Sequence, residues 1–133
     1  MPETVRDEDR QLLEERLDRA LDEAWSKVNE AVDQVTKPGG DPSMSIWHAA
    51  EAVEYASLLF NLAHGLDDLD PEVKIGRSED PTVLVKKSRE SLRRARELRQ
   101  VSTVEAYTNI RVAADTLKTA FLDRVKKAPK RPR

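Results

Sequence analysis

Two groups of residues in this 133-residue chain are of types that could do chemistry. The first is His48, Glu51, Glu54, Asn61 and His64, gathered in one stretch. Imidazoles and carboxylates ligate metals and move protons. At helical spacing His48 and Glu51 are neighbours three apart, whereas Glu54, Asn61 and His64 fall on a different side together with Ser57. A di-iron carboxylate bundle needs Glu-x-x-His motifs on two helices plus further inward glutamates. Here the order is His-x-x-Glu, it occurs once, and no other segment holds a histidine. Two sites of two ligands each are thinner than a bound metal requires. The expectation is therefore a polar strip on a core helix that touches a neighbouring helix or a second subunit, with no cofactor and no metal.

The second group is basic. Seven Lys and Arg residues lie between positions 86 and 99, among them Lys86, Lys87, Arg89, Arg93, Arg94 and Arg96, and the chain ends on Lys126, Lys127, Lys130, Arg131 and Arg133. Such cations could neutralise phosphates, each contact adding a salt-dependent increment to polyanion affinity. Glu90 and Glu97 interrupt the face, however, no aromatic stacking platform accompanies it, and no helix-turn-helix spacing is present. The plainer expectation is that these charges solvate a helix and pair with an acidic one. Nucleophilic catalysis has no support: there is no Cys, and glycines 39, 40, 65 and 76 form no phosphate-cradling loop.

The elements that must position these groups are helical. Residues 5 to 36 carry Leu13, Leu17, Leu21, Ala24, Val28, Ala31 and Val35 at steps of three and four, with Thr4 and Asp7 placed as a capping box and Lys37-Pro38-Gly39-Gly40 as a stop. Such a helix is about 45 Å long, more than a compact domain of this size needs, so part of it projects or lies along a partner. Asp41-Pro42-Ser43 opens a second helix with Pro42 near its first turn. Between Ile46 and Leu66 its only acidic or basic residues besides the two histidines are Glu51 and Glu54, which predicts a central helix buried over most of its circumference. Two carboxylates, two histidines and Asn61 argue against a membrane span.

Gly65 reads as the end of helix two, residues 67 to 80 as a long acidic loop, and Asp80-Pro81 as the cap of a third helix reaching about Gln100. On that helix Leu84, Ser88, Ser91, Leu92, Ala95 and Leu98 share one face. Ser102-Thr103-Val104-Glu105 caps a fourth helix with Val104, Tyr107, Ile110, Ala114, Leu117, Phe121 and Val125 as its stripe, stopping before Pro129. Residues 126 to 133 read as a disordered basic tail after a single domain spanning 1 to 125.

Charge is unevenly laid out: residues 1 to 80 hold 8 Lys/Arg against 20 Asp/Glu, and residues 81 to 133 hold 15 against 5. The formal net charge of −2 thus joins a segment at −12 to one at +10. Opposite fields of this kind steer encounters with another copy, a charged partner or nucleic acid. The opening Met1-Pro2-Glu3-Thr4 shows no basic stretch followed by an apolar run, and the lack of cysteine fits a reducing compartment, so a cytoplasmic protein is expected.

Two resemblances are visible. Glu51-Ala-Val-Glu54 resembles one half of the paired-carboxylate signature of all-α nucleotide pyrophosphohydrolases, but the second acidic pair on the following helix is missing. The Ala-rich stretch from Trp47 to Gly65 resembles the second helix of HEPN-type bundles of toxin-antitoxin and nucleotidyltransferase-linked proteins. Ribonuclease members of that family place an Arg a few residues before a His on a late helix; after Arg89 this chain has no histidine. The resemblance thus implies a bundle without that activity.

The sequence as a whole predicts an all-α, antiparallel (up-down) four-helix bundle with a long first helix. The expected function is non-catalytic: a helical interaction or assembly protein working through helix faces as a homodimer, with no membrane involvement. The alternative is a nucleic-acid-associated accessory protein using the third helix and the tail. A metal- or nucleotide-dependent enzyme around Glu51, Glu54 and His64 ranks last.

Overall fold

The structure, a computed structural model, describes residues 7–66 and 80–126. Among them it holds four α-helices and no strand: α1 (Asp7–Thr36), α2 (Ser43–His64), α3 (Pro81–Leu98) and α4 (Thr103–Lys126). The helices pack as a square in which α1 touches α2 and α3, and α4 touches α2 and α3. Every neighbouring pair is antiparallel. Arg96 meets Asp22 while Arg99 meets Asp18 and Glu14, which runs α3 against α1. Phe60 stacks near Tyr107 and Trp47 near Phe121, which runs α2 against α4. It follows that α2 and α3 are parallel across a diagonal, with the end of one and the start of the other at opposite ends of the bundle.

The local signals act where the sequence places them. Asp80 accepts a hydrogen bond from the Thr82 amide at 2.8 Å with Pro81 opening α3, and Gly65 ends α2 in a left-handed conformation at φ 64°, donating its amide to the Asn61 carbonyl at 2.8 Å. Ser102 Oγ accepts from the Glu105 amide at 3.3 Å. Pro42 stands at the N-cap, immediately before the first turn of α2, its carbonyl accepting the Ile46 amide at 2.9 Å, and Asp41 accepts from both the amide and the hydroxyl of Ser43. Helix α3 stops at Leu98, two residues before the expected end, and the Leu98 carbonyl accepts the amides of Val101 and Ser102 in the turn that follows. Thr4 of the expected Thr4–Asp7 box and the loop from 67 to 79 lie outside the described residues.

The core forms from the predicted stripes: Leu17, Leu21, Ala24, Val28 and Ala31 of α1, Leu84, Leu92 and Ala95 of α3, and Tyr107, Ile110, Ala114 and Leu117 of α4 are buried. Many are Ala, so the helices approach closely around the large side chains of Phe60, Leu17 and Leu117. In α1 residues 8 to 12 are exposed and Leu13 and Glu14 are half-buried, so the packed side of the helix begins about two turns after its start. Val104 and Val125, placed on the α4 stripe by spacing, are instead about half exposed, since they lie at the helix ends where the neighbours no longer cover them.

Candidate functional site

Helix α2 is buried over less of its circumference than expected. Its inner side, from Ile46 through Val53 to Phe60, is buried, but Met44 (60%), Trp47 (38%), Tyr55 (51%), Leu58 (55%) and Leu62 (58%) are exposed. The reason is architectural: a corner helix in a square bundle has two neighbours and therefore one open side. At 100° per residue these five positions, with His48 and Glu51, share one outward arc. A helix that is apolar all round is normally covered all round. The open face of α2 is thus an exposed apolar strip with two polar residues in it.

Beside that strip, a groove of about 470 Å³ runs between α2 and α4. Trp47, Ala50 and Leu58 line it, and Glu54, Arg111 and Lys118 form its polar wall. The Glu54 Oε2 atom accepts from Arg111 Nη1 and Lys118 Nζ, each at 3.0 Å, and Arg111 also donates to Asp115 at 3.3 Å and to the buried Ser57 hydroxyl at 3.4 Å. Burial works against the charged form of Glu54, yet the hydrogen bonds and charges of Lys118 and Arg111 outweigh it and hold the carboxyl below its ordinary range. Burial likewise opposes the Arg111 cation, and the bond to Glu54 with the charges of Glu54 and Asp115 raises its pKa overall. A carboxylate kept ionised by two cations is a poor general acid or base near neutrality. Its role here is to tie α2 to α4.

The other residues of the predicted strip are dispersed. His48 and Glu51 border a smaller cleft of about 220 Å³ between α2 and α1, facing Glu23 and Lys27. Asn61 Oδ1 accepts from the Leu66 amide at 2.9 Å and so closes the end of α2. His64 Nε2 stands 3.3 Å from Glu14 of α1, its ring 4.7 Å from that of Phe60. Among the described residues no group of three His, Cys, Asp or Glu side chains could hold a metal ion. No described helix is long and apolar enough to cross a membrane.

The basic residues divide in two. Arg93 is held by Glu90 and Glu97 within α3, and its hydrogen bond to Glu90, reinforced by both carboxylate charges, raises its pKa. Arg96 donates to Asp22 at 2.7 Å and lies 5.6 Å over the Trp25 ring, and Arg99 binds Glu14 and Asp18. Lys86, Lys87, Arg94 and Lys126 are exposed and Arg89 is half-buried. Lys127, Lys130, Arg131 and Arg133 lie outside the described residues.

Sequence reasoning missed the outward strip of Met44, Trp47, Tyr55, Leu58 and Leu62, and also the roles of Arg111 and Lys118. The signal for the strip was present: α2 carries more apolar residues than one side of a bundle helix can bury. No family model matches the chain, and no curated protein or solved structure matches it either.

Proposed function

We propose that this protein is a non-catalytic helical assembly module that self-associates through the open face of α2. The observation that carries the reading is the exposure of Met44, Trp47, Tyr55, Leu58 and Leu62 on one side of one helix. Large contiguous apolar patches are uncommon on isolated soluble domains and mark sites of association. The polarised charge along the chain adds a field that steers two copies together. Light scattering across a micromolar concentration range tests it: the parent should weigh more than its 15.1 kDa chain mass. The variant Leu58→Glu should be monomeric with unchanged helicity by circular dichroism. A parent that stays monomeric throughout overturns the reading.

The nucleic-acid alternative draws on the exposed Lys86, Lys87 and Arg94 and on the C-terminal cations. It receives less support, because Arg93 and Arg96 already have carboxylate partners.

A further inference from the structure

The ion pairs between α2 and α4 form a row of alternating sign along one wall of their groove. Asp115 meets Arg111 at 3.3 Å, and Arg111 and Lys118 each meet Glu54 at 3.0 Å, so the order is carboxylate, guanidinium, carboxylate, ammonium. The row ends on Lys118. An ammonium has three N–H donors; this one gives a hydrogen bond to Glu54 and has no other partner among the described residues. Arg111, by contrast, is engaged by Glu54, Ser57 and Asp115. Glu51, the other carboxylate lining the groove, is exposed and makes no ion pair among the described residues.

Much of the remaining lining is apolar: Ala50, Leu58 and Trp47, whose ring lies 5.0 Å from that of Phe121. At about 470 Å³ the groove falls within the roughly 300–1,000 Å³ of small-molecule sites, which combine an apolar lining with a few placed polar groups. The geometry points to a binding site for an amphipathic monoanion, an alkyl or aryl carboxylate whose charged end continues the row at Lys118 and whose apolar body lies along Trp47, Ala50 and Leu58. This goes beyond the assembly reading and does not depend on it.

Charge selects the head group. An organic cation in the groove would meet the fixed cations of Arg111 and Lys118. An uncharged apolar molecule would displace water from the Lys118 ammonium without replacing its hydrogen bonds, and a charged group left unpartnered is costly. A small hydrated anion such as phosphate would reach Lys118 but leave the apolar wall in water. A carboxylate with an apolar body satisfies both parts of the lining, through a charge-assisted hydrogen bond at one end and burial of apolar surface along the rest.

Trp47 is one of two tryptophans, so in the full chain carrying Trp25→Phe it reports the groove alone. Octanoate, 1-octanol and octyltrimethylammonium are titrated against its emission, with the protein kept below the concentration at which it associates, because Trp47 and Leu58 belong to both surfaces. Octanoate should give a saturable change and bind about tenfold or more tightly than either of the others. Lys118→Gln should bring octanoate down to the level of octanol, and Lys118→Arg should keep the preference, with helicity unchanged in both. Equal binding of octanoate and octanol by the parent overturns the inference, as does a Lys118→Gln variant that keeps the preference. No response to octanoate overturns it too; if Trp47 emission then shifts with protein concentration alone, a second copy fills the groove and the assembly reading stands.

Discussion

Glu54 shows how position decides what a carboxylate does. A free glutamate titrates near pH 4.3, and Lys118 and Arg111 hold this one lower in the folded state. A folded pKa below the unfolded one adds stability that is complete above about pH 5.5 and is lost as pH falls through the folded value. The Glu54→Gln variant should therefore show a shallower fall in Tm between about pH 5.5 and pH 3 than the parent. An identical acid limb in thermal melts would remove Glu54 from the stability of the fold. Phe60 makes the opposite case at the same scale, an apolar side chain with no exposure, packed against His64 and Tyr107. Phe60→Ala should cost about 3 to 5 kcal/mol in urea unfolding, through lost transfer energy and an unfilled cavity. A loss under about 1 kcal/mol would show that the core collapses freely around the site.

At the scale of elements, ion pairs fix which helices lie side by side. Arg99, at the turn after α3, reaches Glu14 and Asp18 of α1, with its side chain only 11% exposed. Truncating it removes two charge-assisted contacts and the packing of a buried stem, so Arg99→Ala should cost about 1 to 3 kcal/mol. A double-mutant cycle with Glu14→Ala should return a coupling energy, whereas strict additivity would show that the pair is incidental. The start of α3 depends on a single cap: Asp80→Ala should cost about 1 kcal/mol, measured as a lower unfolding midpoint, because the Thr82 amide loses its acceptor.

For the whole molecule, the division into a −12 and a +10 segment resolves partly inside one subunit. The pairs Arg96–Asp22, Arg99–Glu14, Arg111–Glu54 and Lys118–Glu54 join basic α3 and α4 to acidic α1 and α2. What remains for a polyanion is the exposed part of α3 and the C-terminal cations. Ending the chain at Val125 should change thermal stability by no more than about 0.5 kcal/mol. Under the nucleic-acid alternative the same truncation should flatten the slope of log affinity against log salt. Full-length protein that fails to bind DNA or RNA at low salt would eliminate that alternative.

The chain's periodicity and punctuation determined the four helices, their caps at Asp80, Ser102 and Gly65, and most core residues, because hydrogen bonding within a helix and the burial of one stripe are local matters of spacing. Helix ends were read less well, as at Leu98, where α3 passes into a turn with no Gly or Pro to mark it. Which helices neighbour one another, and hence which side of α2 stays open, was not legible. Apolar residues all round a helix look the same whether the second face meets a third helix in the same subunit or lies outside it. Only the square packing, with α2 touching α1 and α4 and no described helix on its remaining side, separated Val53 and Phe60 from Tyr55 and Leu58. Likewise Glu54, Asn61 and His64 looked like one polar strip by spacing, yet the helices around them draw each to a different partner, since side-chain contacts follow the neighbours a residue meets in space.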